Sequence, residues 1–110
     1  MSDRPVLCKL ADFDEEYPIV RAEVPGFPPL AVYRVGAEVY CTDDTCSHGQ
    51  ASLSEGDLED HTVICPFHGG EFDVRTGEAT GRPCFLAIGS YPVAVEGDEV
   101  VLLAPVPADG

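Results

Sequence analysis

The sequence predicts an all-β protein, and three observations predict it. Ten prolines and eleven glycines spread through 110 residues cut the chain into short pieces. No piece keeps a helical hydrophobic period over three turns. The pieces between the breaks alternate or run β-branched, as short strands do. Many short strands at close spacing pack as a barrel or a sandwich.

The elements follow in order. Pro5–Leu10 reads as a first strand, and Asp12–Glu16 as an acidic loop or one helical turn. Tyr17–Val24 alternates and stops at Pro25-Gly26-Phe27-Pro28-Pro29, a dense turn signal. Leu30–Val35 and Glu38–Thr42 flank Gly36-Ala37 and predict a tight hairpin. Asp43–Asp60 reads as one long polar loop. Thr62–Cys65 is a β-branched run, Pro66–Gly70 a second loop, and Glu71–Val74 a strand entering the turn Arg75–Glu78. Tyr91–Val95 and Glu99–Leu103 flank the hairpin turn Glu96-Gly97-Asp98. Val93 and Val95 share one face there, as do Val101 and Leu103. Residues 104–110 read as an extended or frayed tail.

Length and charge set limits. At 110 residues the expectation is one domain spanning 1–110, with no room for a dinucleotide-binding domain beside a catalytic one. The length argues against a self-sufficient redox enzyme. Twenty acids oppose six bases, a net charge of −14. The acidity is spread, with net −6 in residues 1–55 and −8 in 56–110. Such a surface repels nucleic acid and anionic membranes, and it favours solubility and basic protein partners. The opening M-S-D-R-P-V-L-C-K-L has no apolar core of signal-peptide length, so the expected location is the cytoplasm. Five cysteines in a reducing compartment are metal ligands or buried thiols rather than disulfides.

Two short motifs carry the chemistry: Cys46-Ser47-His48-Gly49 and Cys65-Pro66-Phe67-His68-Gly69-Gly70. Sixteen residues separate His48 from Cys65, which gives the pattern C-x-H-x16-C-x2-H. Each motif offers one thiolate and one imidazole in a loop after a short strand, so two loops side by side can clamp one metal centre. A Cys2His2 zinc site is one reading. Its usual arrangement pairs like ligands on each knuckle, whereas here each knuckle mixes them. Mixed knuckles suit a centre of two metal ions, one taking both thiolates and the other both imidazoles. A plant-type ferredoxin fails on spacing: Cys41 and Cys46 have the C-x4-C separation, but the next ligand position is Gly49.

The pattern resembles the Rieske family, whose 2Fe–2S cluster has two cysteines on one iron and two histidines on the other. The stretch C-S-H-G…L-S-E-G…L-E-D…V-I-C-P-F-H-G-G-E-F-D-V-R-T-G is similar to ferredoxins of bacterial aromatic-ring dioxygenases. The resemblance runs from about residue 5 to 104. It implies one 2Fe–2S cluster bound by Cys46 and Cys65 on one iron and by His48 and His68, through Nδ1, on the other. It implies an antiparallel β-sandwich with a small cluster-binding subdomain at about 42–84, and a tail at 105–110. It also implies solvent-facing histidine edges where electrons enter and leave.

Departures within the family sharpen the expectation. High-potential Rieske proteins carry an extra cysteine in each loop, joined as a disulfide; the matching positions here are Ala51 and Phe67. They also aim a Ser and a Tyr hydroxyl at sulfur, where this chain has Gly70 and Phe72. Both donors are gone, so the reduced cluster loses stabilisation and a low potential follows. Cys8, Cys41 and Cys84 read as small buried hydrophobes, and His61 as an exposed loop residue. Pro66 and Pro83 read as loop-shaping residues, with Pro83 near the cluster. Gly49, Gly69 and Gly70 either let backbone N–H groups approach sulfur or serve ordinary turns.

A cluster with four protein ligands has no open position for substrate. The chain has three histidines, and with two on the cluster only His61 remains. The two-His, one-carboxylate iron site of an oxygenase cannot be built. The resemblance therefore implies a monomeric carrier, not an enzyme. It docks transiently, taking single electrons from a flavin-dependent NAD(P)H reductase to a terminal oxygenase. The Rieske-type small subunit of an assimilatory nitrite reductase is the alternative.

Overall fold

A computed structural model describes residues 5–46, 51–66, 70–81 and 87–103. Among these, eleven strands form three antiparallel sheets, and the helical segments are two short 3-10 turns. The strands are β1 (Val6–Lys9), β2 (Ile19–Ala22), β3 (Leu30–Val35), β4 (Glu38–Asp43), β5 (Asp57–Glu59), β6 (Thr62–Ile64), β7 (Glu71–Asp73), β8 (Ala79–Gly81), β9 (Ser90–Tyr91), β10 (Val93–Glu96) and β11 (Glu99–Leu102). They pair in the orders β1-β11-β10, β2-β3-β4-β9 and β5-β6-β7-β8. The expected all-β, antiparallel architecture is what the chain adopts. No helix among the described residues is long and apolar enough to cross a membrane.

β3 explains the layering. Its residues Leu30, Ala31, Val32 and Tyr33 are all fully buried. Successive side chains of a strand point to opposite faces. Leu30 and Val32 accordingly join one core with Cys8, Cys41 and Val100, whereas Ala31 and Tyr33 join another with Cys46, Leu53, Cys65 and Phe72. One strand is thus the wall between two cores. The Tyr33 hydroxyl is satisfied there by Thr42 Oγ1 at 2.8 Å.

The hairpins at Gly36-Ala37 and Glu96-Gly97-Asp98 form as expected. Gly36 and Gly97 carry φ of +62° and +66°, which favours glycine. Two expectations are corrected. Residues 43–60 are not one loop: they contain a 3-10 turn at Leu53–Glu55 and the strand β5. β5 is D-L-E with a single apolar residue, too short for an alternation to be read. Tyr91–Val95 is not one strand either. Pro92 has no N–H to continue a ladder, so β9 pairs with β4 and β10 pairs with β11, in different sheets. The strand β8 is a further element, one that no alternation announces. Val93 is half-buried, whereas Val95 and Leu103 are among the exposed large hydrophobics; Val100, Val101 and Leu102 of the central strand β11 are all buried. The expected tail at 104–110 lies outside the described residues.

Candidate metal centre

Cys46 follows β4 and Cys65 follows β6, and the loops they open begin alike. The Cys46 N–H donates to the Ala51 carbonyl at 3.0 Å, and the Cys65 N–H to the Gly70 carbonyl at 2.6 Å. Each bond closes over five residues. The residue before each cysteine also pairs across the loop, Thr45 with Ser52 and Ile64 with Glu71. Both cysteines are 2% exposed and share one core with Ala51, Leu53, Val63, Phe72 and Val74. Two like loops thus bring two buried thiols to one core. His48 and His68 lie outside the described residues, as do Gly49, Phe67, Gly69, Pro83 and Cys84. Among the described residues no group of three or more metal-ligating side chains occurs, since the thiol pair is the part of the motif they contain.

Several residues that sequence reading passes over hold these loops. Asp43 ends β4, Asp44 follows it, and the two serve opposite directions. Asp43 accepts the Gly89 N–H at 2.8 Å and the Tyr91 hydroxyl at 2.7 Å. Burial, then that bond to Asp43, pushes the Tyr91 phenol well up. Asp44 is 1% exposed, accepts the Ser54 N–H at 2.8 Å and meets the Arg21 Nε at 3.3 Å. Gly56 approaches the second loop: a Cβ there would lie 2.0 Å from the Ile64 carbonyl oxygen and 3.2 Å from Pro66 Cδ. The sequence signal is present in the acidic pair after a strand and in L-S-E-G, but a strand end and a loop look alike without the partners.

The other singled-out residues divide. Cys8 and Cys41 are buried as expected. Burial first, with Asp12 second, pushes the Cys8 thiol up to about 11; burial, then Asp43 and Cys8, pushes Cys41 up to about 12. Such thiols are inert. His61 is corrected: its side chain is 28% exposed and packs edge-on against Tyr40, ring centroids 5.6 Å apart. Its carbonyl accepts the Val74 N–H, so it belongs to the β6–β7 packing. Gly70 is buried and works through its carbonyl, closing the Cys65 loop. Phe72 is fully buried in the core that both cysteines share, and Pro66 is exposed.

Comparison with known proteins places the chain in a family. The Rieske 2Fe-2S domain model matches residues 3–92. The ferredoxin component of the p-cumate 2,3-dioxygenase system of Pseudomonas putida is 45% identical over 101 residues, 91% of this chain and 85% of that one. The solved ferredoxin of Sphingomonas yanoikuyae B1 superposes with a TM-score of 0.87 at 39% identity, covering 94% of this chain and all of that one. The ferredoxin in a complex of reduced oxygenase and oxidised ferredoxin of carbazole 1,9a-dioxygenase gives 0.82 at 44%, covering 90% and 91%. This chain belongs to the Rieske 2Fe-2S family. It is an electron-transfer ferredoxin that carries one Rieske-type cluster, not a catalyst, and the zinc reading is set aside.

Proposed function

We propose that this chain takes single electrons from a flavin-dependent NAD(P)H reductase and delivers them to a terminal aromatic-ring-hydroxylating oxygenase. The observation that carries this reading is the pair of matching loops that bring Cys46 and Cys65, both buried, to one core. Cys46 and Cys65 hold one iron, and His48 and His68 the other. When bound, the cluster supplies a one-electron couple; the chain orients it and excludes water from its sulfur side. The relatives named as ferredoxin components of dioxygenase systems support this partner class over a nitrite reductase. The carrier is one domain over 1–110 with its cluster-binding part at about 42–84. It is a monomer that docks transiently in the cytoplasm, where NAD(P)H is supplied, with no nucleic-acid or membrane partner.

Its potential is low. Phe72 and Gly70 offer no hydroxyl, so the reduced cluster lacks two donors. We expect the bottom 100 mV or so of the Rieske range, about −150 to +300 mV. Reconstituted turnover with candidate reductase and oxygenase pairs tests the function. Reduction by the reductase followed by oxidation by the oxygenase is the expected result. A red-brown protein that passes electrons to a nitrite reductase and to no oxygenase would overturn it. Film voltammetry giving a value above about +100 mV would overturn the low-potential part.

A further inference from the structure

A short leg, residues 53–56, runs between the two cysteine loops and is held from three sides. On the first-loop side the Leu53 N–H donates to the Asp44 carbonyl at 2.6 Å, and the Ser54 N–H to Asp44 Oδ1 at 2.8 Å. From a second side the Tyr17 hydroxyl donates to the Ser54 carbonyl. On the second-loop side Gly56 lies so close to the Ile64 carbonyl that no Cβ fits between them. The leg is therefore in contact with the approach to Cys46 and with the approach to Cys65.

Asp44 is the anchor of this arrangement. Its carboxylate is 1% exposed, and Arg21 Nε, on β2, meets the other oxygen at 3.3 Å. A buried charge is tolerated when it is paired and hydrogen-bonded, and here the pairing leaves Oδ1 for the Ser54 N–H. We propose that Asp44 is a positioning residue for the cluster: its carboxylate grips the leg, and the leg sets the separation of the two cysteine loops. Groups behind metal ligands that fix their orientation typically change metal retention 10–100-fold when removed. This inference rests on Cys46 and Cys65 being cluster ligands.

Two charge-matched double variants of the holoprotein test it. Arg21→Gln with Asp44→Asn, and Arg21→Gln with Asp44→Ala, both remove the ion pair. The first alone keeps a side-chain acceptor for Ser54. The Asn double should release iron to a chelator at about the wild-type rate and keep the wild-type EPR g-values. The Ala double should release it about 10–100-fold faster, with shifted g-values. Equal release rates and equal spectra for the two doubles would overturn the role. If the Ala double does not fold, hydrogen exchange of the wild-type holoprotein decides. Slow exchange in residues 53–56 supports the grip, and exchange at the unstructured-chain rate overturns it. A wild-type protein without iron would instead fail the ligand assignment, so the two failures are distinct.

Discussion

Among the described residues two pairs of cysteines are buried, and they differ in how the backbone holds them. Cys8 and Cys41 are 7% and 1% exposed, Cys46 and Cys65 both 2%. Cys8 and Cys41 lie within strands, where neighbouring ladders occupy the backbone and the side chain packs into an apolar core. Cys46 and Cys65 stand at the first position of loops closed over five residues. A strand fixes a thiol inside the core. A closed loop holds it in the core at the point where the backbone turns. The two pairs thus differ in where the backbone turns and not in how deep the sulfur lies.

The largest effect should separate the two pairs outright. Cys46→Ser and Cys65→Ser should abolish the red-brown colour and the bound iron. Tm should fall by more than about 10 °C, because the cluster staples a small domain. Iron and sulfide analysis with thermal melts measures both. A serine variant that keeps two irons would erase the distinction.

Gly56→Ala comes next. Gly56 has an ordinary φ of −90°, so close approach opposes a side chain: 2.0 Å to the Ile64 carbonyl oxygen and 3.2 Å to Pro66 Cδ. Relieving it must push the loops apart, at about 2–3 kcal/mol. Chemical denaturation should show the loss, together with reduced cluster content. Unchanged stability would mean the loops slide past each other without cost.

Cys8→Ala and Cys41→Ala should cost only about 1 kcal/mol each and leave the iron content and EPR spectrum intact. In the native protein neither thiol should be alkylated at pH 8, since their pKa values stand at about 11 and 12. Mass mapping after iodoacetamide treatment checks this; prompt labelling of Cys41 would give it a reactivity its surroundings deny.

The smallest effect belongs to the turn after β7. Arg75 grips both oxygens of Asp73 at 3.0 and 2.9 Å and holds its carboxyl below the usual 3.8. A depressed folded pKa contributes stability above the unfolded value, and that contribution is lost as pH falls through the folded one. The deficit of Asp73→Asn should thus be present at pH 6 and vanish in acid below the ordinary carboxylate range. Urea midpoints across that range report it, and a deficit that grows in acid would reverse the sign.

Much of this was legible in the residues. The hairpins at Gly36 and Gly97, with β3 as a strand of the first, announce themselves through turn glycines and apolar runs, whereas the burial of β3 on both faces does not. The motif stands out because C-x-H and C-x2-H each mix a thiol and an imidazole. What stayed hidden depends on distant partners. β5 has one apolar residue in three, and β8 is A-T-G, so neither shows a period. Pro92 reads as a blemish in one strand until the two sheets it joins are known. Asp44 looks like any loop acid because its partners Arg21 and Ser54 are remote in sequence.

β3 is a party wall, and that has a consequence for how the molecule comes apart. Leu30 and Val32 serve one core and Ala31 and Tyr33 the other, on a single four-residue stretch with no solvent on either side. Neither half can loosen without stripping a face from the wall that supports its neighbour. Melting should therefore be one cooperative event. The core that holds Cys46 and Cys65 and the core that holds Cys8, Cys41 and Val100, on opposite faces of the wall, should share a single stability.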